Sequence, residues 1–269
     1  MATAIASAIS FDRSSVPLIC PVEPRDHTIA ASVATAAGDL LLRVRASGKV
    51  GDELKAAADR ASNEYILDRL RVSFPDDDVL SEEAVRVTHR GPSGRLWIVD
   101  PLDGTREFSE PPRTDWAVHV ALTIDGVAHA GAVALPARGL TLSTATVPSP
   151  APRPDRPLRL LVSRTRPPAH AITLAEQLGG ELVAMGSAGA KTMAVVLGEA
   201  DVYAHAGGQY EWDSAAPVAV ATAAGLHASR LDGSPLRYGQ ANPWLPDLLI
   251  CRPELAPRVI AICREVAVS

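Results

Sequence analysis

The residues with the clearest chemical potential are Asp100-Pro101-Leu102-Asp103-Gly104-Thr105, which follow the apolar run Leu96 to Val99. That run reads as a buried strand. The sequence predicts that it stops at Asp100, because Pro101 has no N–H for a sheet ladder and Gly104 can take backbone angles closed to other residues. Two carboxylates three residues apart can then face one point, with the Leu102 carbonyl between them. Such a point is lined by hard oxygen atoms, which suit Mg²⁺ or Mn²⁺ better than zinc. Thr105 falls at a plausible helix start, where free N–H groups and the helix dipole attract an anion. A carboxylate-held metal beside an anion-binding helix end implies phosphoryl chemistry. The Asp-Pro and Asp-Gly pairs are also ordinary turn formers, so the string matters more than any one pair.

Further acids read two ways. Asp59 lies near the beginning of an amphipathic helix predicted from about Ala56 to Val72, where a first-turn acid is favoured by the dipole alone. Glu82 and Glu83 follow a short strand, Val79-Leu80, and could be a solvated loop or a ligand pair. Asp213, in Glu211-Trp212-Asp213-Ser214-Ala215-Ala216, stands at a helix start, where Asp is usually a cap. Gly186-Ser187-Ala188-Gly189-Ala190-Lys191-Thr192 superficially resembles a P-loop, but Ala190 stands where a Walker motif needs Gly, so ATP hydrolysis is disfavoured.

The elements that must position these groups follow from periodicity. Asp26 to Ala46 is predicted as the first helix, with Asp26 as its cap. After Phe108 come a polar loop and a hairpin, Trp116 to Ile124 and Val127 to Leu135 about an Asp125-Gly126 turn, with Leu140 to Thr146 pairing next. His119 and His129 lack metal spacing, and these strands read as scaffold without chemistry. Five prolines between Pro148 and Pro157 make a stiff connector, which divides a subdomain over 1–150 from one over 151–269. The second half alternates: strand Leu158 to Ser163, helix Ala169 to Leu178, strand Leu182 to Met185, helix Lys191 to Gly198, strand Val202-Tyr203, helix Asp213 to Ala224, strand Leu248 to Cys251, helix Leu255 to Val266. Alternation of this kind implies an α/β fold with helices on both faces of a sheet.

The 269 residues are 47% hydrophobic but only 4% aromatic, so the core must be aliphatic and closely packed. A net charge of −5 argues against binding nucleic acid polymers or an anionic membrane surface, and an anionic substrate would need bound cations. Cys20, Cys251 and Cys263 are scattered, which suggests neither a disulfide framework nor a zinc ribbon and fits a reduced cytoplasmic setting. The start is alanine-rich without the basic region of a signal peptide. No stretch of membrane-spanning length is present. The first 24 or so residues are read as a leader, ordered or frayed.

The string Asp100 to Thr105 after a hydrophobic strand resembles the signature of the lithium-sensitive, Mg²⁺-dependent phosphomonoesterase superfamily. Its members are inositol monophosphatases, fructose-1,6-bisphosphatases and 3′(2′),5′-bisphosphate nucleotidases. The continuation Arg106-Glu107-Phe108 is most similar to the nucleotidases of the CysQ group. The resemblance implies an αβαβα sandwich and assigns Glu82, or Glu83 as the alternative, with Asp100 and the Leu102 carbonyl to one Mg²⁺. Asp100, Asp103 and Asp213 go to a second, with a third, weaker one near Glu82 and Asp59; Mn²⁺ could replace Mg²⁺. Asp59 and Thr105 would orient the attacking water, although Lys55 and Ala56 depart from the Val-Thr usual before that Asp. Gly104 and Thr105 would touch the substrate phosphate. Ser187 or Ala188, with Lys191, resembles a turn that contacts the base and second phosphate. Ser163-Arg164-Thr165-Arg166 and Tyr203-Ala204-His205 resemble two nucleotide-contacting motifs, with Arg166 where His is usual and His205 where Arg is usual.

The reading favoured by this resemblance is hydrolysis of 3′-phosphoadenosine 5′-phosphate to AMP and phosphate, inhibited by lithium, which clears a by-product of sulfate assimilation. An inositol monophosphatase, a fructose-1,6-bisphosphatase or an enzyme of mixed specificity is the alternative. A catalytically silent metal or nucleotide binder is a third, disfavoured by a water-orienting pair for which it has no use. The partner is a small phosphorylated molecule, and monomer and homodimer both remain open.

Overall fold

The computed structural model describes residues 22–83, 94–164 and 169–268. Two amphipathic helices open it, α1 (Pro24–Arg45) and α2 (Gly51–Ser73). Asp26 is not the cap of α1: Glu23 holds that place, and the Asp26 carboxylate, one turn in, accepts from the Glu23 N–H and pairs with Arg95. Pro24 explains the earlier start, since the first helical position needs no N–H. Helix α2 begins before Ala56, because Asp52 and Glu53 form its acidic first turn rather than a loop. Asp59 is therefore well inside the helix and not a first-turn acid.

The first sheet has the order β1-β2-β3-β4-β5, from β1 (Asp78–Ser81), β2 (Arg95–Asp103), β3 (Ala117–Ile124), β4 (Val127–Leu135) and β5 (Leu140–Ser143). Only β1 and β2 are parallel; the rest is the expected meander, and positive φ at Asp125 and Gly126 is the hairpin turn that fits strand twist. A one-turn helix, α3 (Thr105–Phe108), follows β2. The proline-rich stretch connects β5 to β6 (Leu158–Ser163). Beyond it come α4 (Ala169–Leu178), β7 (Gly180–Met185), α5 (Ala188–Val196), β8 (Val202–Tyr210), α6 (Glu211–Ala223), β9 (His227–Ser229), β10 (Trp244–Cys251) and α7 (Ala256–Val268). The second sheet has the order β7-β6-β8-β10-β9.

Alternation along the strands assigns each sheet two apolar faces. Trp97, Val99, Val118, Val120 and Ala132 pack with α1 and α2, whereas Ile98, Ala121 and Val133 pack with α5 and α6. In the second sheet Leu161, Tyr203, Leu248 and Ile250 join that same α5–α6 core, while Leu160, Val202, Leu249 and Cys251 meet α4 and α7. The layers are thus helices, sheet, helices, sheet, helices, the αβαβα order expected. Among the described residues no helix is long and apolar enough to cross a membrane.

Candidate metal and phosphate site

Strand β2 does not stop at Asp100. It continues to Asp103, and Asp100 lies opposite His119 while Asp103 lies opposite Ala117, so three steps on β2 face two on β3. This bulge makes the site. Residues three apart on a regular strand point to opposite faces, and the extra residue restores parity, so Asp100 and Asp103 share the α5–α6 face with Leu96 and Ile98. Leu102 correspondingly turns to the α1–α2 core. The Asp100 carboxylate accepts from the Leu102 N–H at 3.0 Å, which closes the turn locally.

Gly104 then takes φ +85°, and a Cβ there would meet Ser187 Cβ at 3.1 Å and the Asp115 carbonyl at 3.2 Å. Both conformation and space require glycine. Thr105 begins α3, and its hydroxyl donates to the Leu102 carbonyl at 3.1 Å rather than to Asp59. Glu107 is buried and receives Arg164 at 3.0 Å, which ties this turn to the end of β6.

Asp213 reaches the cluster from the first turn of α6, where its carboxylate accepts from the Tyr210 N–H at 2.6 Å. The helix starts at Glu211, so Asp213 is not its cap. Asp100, Asp103 and Asp213 each offer one oxygen, and these lie within 4.8 Å of one another. Glu82 arrives from β1, whose parallel pairing sets Ser81 beside Val99. The residue is exposed overall, yet its carboxyl lies against Asp100 and feels the charge of Asp213. Glu83 instead acts electrostatically on Asp59. Of the two acids left open by the sequence, Glu82 is the one whose carboxyl lies against Asp100. Asp59 is half-buried on α2, one turn before Asn63, which receives the Ser81 hydroxyl at 2.7 Å; on the same helix Ser62 donates to the Pro101 carbonyl at 2.7 Å.

Electrostatics mark the recess as short of positive charge. Burial, then repulsion by Asp213, pushes Glu82 up to about 7; burial, then Asp103, pushes Asp213 up to about 6. Asp100 is raised well above the carboxylate range by burial and by Asp103, Glu82 and Asp213. Burial and then Glu83 raise Asp59 to about 6. Asp103 behaves oppositely: burial would raise it, but His119, Ser187 and the Gly189 N–H hold it at about 2. Carboxylates that repel one another inside protein take up protons or a cation, and an all-oxygen donor set fits a hard divalent ion.

Several residues stand differently from expectation. Ser187 caps α5, its hydroxyl bonded to Asp103 and accepting from the Ala190 N–H at 2.9 Å, so both of its roles are taken inside the site. Lys191 is buried; its ammonium donates to the Ser187 carbonyl at 2.8 Å and lies 5.0 Å from the Tyr203 ring centroid. The resemblance assigns Lys191, with Ser187 or Ala188, to substrate; here Ser187 and Lys191 are buried and bonded within the protein, and α5 starts at Ala188, ahead of the predicted Lys191. His205 is half-buried, its Nε2 2.9 Å from the Gly208 carbonyl on the same strand. Arg166 lies outside the described residues.

The residue that sequence reading missed is His119. Read as scaffold, it is fully buried on the same face as the acids, with Nδ1 3.0 Å from the Trp212 carbonyl and Nε2 3.2 Å from Asp103 Oδ2. Burial opposes its protonation, but the Asp103 charge outweighs that and raises its pKa. A metal-ligand spacing could not reveal it; only its position on the strand paired with β2 could. His129 is exposed at the far end of the hairpin.

An αβαβα sandwich with an acidic cluster at the end of β2 is the arrangement of a metal-dependent phosphatase, and comparison with known families agrees. The chain belongs to the inositol monophosphatase family, whose model matches residues 25–151 and 153–267. The 3′-phosphoadenosine 5′-phosphate phosphatase of Mycobacterium leprae is 52% identical over 260 residues, covering 91% of this chain and 95% of that protein. The 3′(2′),5′-bisphosphate nucleotidase CysQ of Escherichia coli is 32% identical over 234 residues, covering 78% of this chain and 92% of its own length. Among solved structures, CysQ from Bacteroides thetaiotaomicron superposes with a TM-score of 0.74 at 25% identity, covering 85% of this chain and 97% of that one.

Proposed function

We propose that this chain is a Mg²⁺-dependent phosphomonoesterase that hydrolyses the 3′-phosphate of 3′-phosphoadenosine 5′-phosphate to AMP and phosphate. The observation that carries the reading is the convergence of Asp100, Asp103 and Asp213 within 4.8 Å, in a chain 52% identical to a phosphatase named for that substrate.

Asp100, Asp103, Asp213 and Glu82 would hold the cations. Bound there, Mg²⁺ supplies positive charge that stabilises the phosphoryl transition state and makes water more acidic. The remaining work belongs to the protein. Thr105 spends its proton on the Leu102 carbonyl, which leaves its oxygen to accept from a water. Asp59, raised to about 6, can take a proton near neutral pH, where a base is most effective if its pKa lies near the working value. No covalent phosphoenzyme is required, because attack by water completes the reaction in one displacement.

The direct test is phosphate release from this nucleotide with Mg²⁺, then with excess EDTA, then with Li⁺ added to the Mg²⁺ enzyme. Activity should vanish with EDTA and fall with Li⁺, since a monovalent ion on a hard-oxygen site cannot supply the same charge. Full activity in excess EDTA contradicts the reading.

A further inference from the structure

Strand β3 reads as scaffold, yet it delivers one polar side chain to the core beneath the acidic cluster. His119 stands opposite Asp100 in the β2–β3 register and is wholly buried. Both ring nitrogens lie near a β2 carboxylate, Nδ1 at 4.0 Å from Asp100 Oδ2, and Nδ1 also faces α6. Nδ1 meets the carbonyl of Trp212, the residue directly before Asp213, at 3.0 Å. Nε2 lies 3.2 Å from Asp103 Oδ2, off the line of an ideal hydrogen bond but within ion-pair distance, and among the described residues it has no hydrogen-bond partner.

The surroundings are shaped to admit this ring. A Cβ on Gly189 would sit 2.0 Å from His119 Nε2, so only glycine leaves room for it. The same Gly189 donates its N–H to Asp103 Oδ2 at 2.7 Å, and the Ser187 hydroxyl bonds that oxygen too. Two hydrogen bonds, from Gly189 and Ser187, and the close contact of His119 Nε2 therefore converge on Oδ2 of Asp103. A carboxylate held at one oxygen by a fixed set of donors cannot rotate, and its other oxygen is presented in one direction.

We propose that His119 is a positioning residue for the cation site: it spans from the Trp212 carbonyl to Asp103 Oδ2, turning Oδ1 toward the cation and locking Asp103 to the segment that carries Asp213. The proposal rests on the metal-site reading above. It makes β3 the strut that holds two ligands from different elements at a fixed separation.

Three substitutions separate the two ends of the strut. In His119→Gln the amide nitrogen reaches the place of Nε2 and can still donate to Asp103. In His119→Asn it reaches only the place of Nδ1 and keeps the Trp212 bond. His119→Leu removes both. Each full-length protein is titrated with Mn²⁺, read as free Mn²⁺ by electron paramagnetic resonance, and assayed for kcat and KM on the nucleotide. Loss of a group that orients a ligand typically costs about 10–100-fold in metal affinity. The Asn and Leu variants are expected to lose about tenfold or more in Mn²⁺ affinity, and the Gln variant, which keeps the Asp103 end without the Trp212 bond, to lose an intermediate amount, with kcat falling and KM little changed. Asn or Leu binding Mn²⁺ as wild type does, or Gln losing as much as Leu, overturns the proposal. A fourth measurement stands if Leu does not fold: Gly189→Ala should weaken Mn²⁺ binding in wild type but cost little more on the His119→Asn background, where the shorter side chain leaves room. Equal cost on both backgrounds also overturns it. A wild type that binds no Mn²⁺ defeats the metal-site reading itself, a separate and visible outcome.

Discussion

Asp100 sits at the point where the other acids meet, and its burial leaves no solvent to spread their charge. Asp100→Asn keeps the shape of the side chain and its turn-closing acceptor but replaces a carboxylate with a neutral amide. Activity should fall by orders of magnitude while the folded protein persists; a variant within about tenfold of wild type, a loss of only ~1.4 kcal/mol, would remove Asp100 from the metal assignment. The same charges set a pH dependence. Glu82 and Asp213, at about 7 and about 6, hold protons when folded that the unfolded chain releases near pH ~4. Their contribution to metal-free stability is therefore fully present below pH ~4 and is lost as pH rises through 6 to 7. Asp103, held at about 2, has the opposite sign, and its contribution is lost only as pH falls toward that value. Added Mg²⁺ should accordingly raise the unfolding temperature more at about pH 7.5 than at about pH 5, and equal shifts would contradict the charge-deficient cluster. Asp100 and Asp103 were legible in a string whose turn sets two acids three apart, whereas the helix start alone made Asp213 a cap and the family resemblance was needed to bring it to the cluster. His119 was not legible, because its partners come from a neighbouring strand and from Trp212, far along the chain.

At the scale of elements, the site depends on how the chain leaves β2. The bulge turns both acids to one face, and Gly104 then turns the chain into α3 against Ser187 and Trp116. Gly104→Ala forces a side chain into left-handed backbone and into contacts of 3.1 to 3.3 Å with Ser187, Asp115 and Trp116. We expect a loss of about 1–3 kcal/mol in denaturant unfolding, with activity falling as the α5 cap moves away from Asp103. A change below about 0.5 kcal/mol would show that the turn tolerates other geometries. Strand and helix identities were mostly readable from periodicity, but their ends were not. Strand β2 was expected to stop at Asp100, ahead of Pro101, yet a bulge leaves that proline's missing N–H outside the ladder. Strand β8 was read as Val202-Tyr203 alone; pairing with β10 carries it through Gly207 and Gly208 to Tyr210, with a register shift between Leu245 and Asp247. The short strand β9 has three residues and too little pattern to detect, and exists through its ladder with β10.

For the whole molecule, the α5–α6 layer explains how residues far apart in the chain form one site. Both helices lie between the sheets and share one core with each, so the start of α5 brings Ser187 and Gly189 to Asp103 while the start of α6 brings Asp213. The layered α/β class followed from the alternation of elements, and the five-layer order from the family signature; neither alone indicated that the middle helices carry the supports of the first sheet's ligands. Substrate choice belongs to this scale as well, because a nucleotide bisphosphate carries a second phosphate besides the one at the cluster. The measurement that tests the account most directly is kcat/KM with Mg²⁺ for 3′-phosphoadenosine 5′-phosphate beside inositol 1-phosphate on the same preparation. The account predicts a preference for the nucleotide of at least about a hundredfold, roughly 2.7 kcal/mol of differential transition-state binding. Equal rates, or a preference for the inositol phosphate, would contradict it.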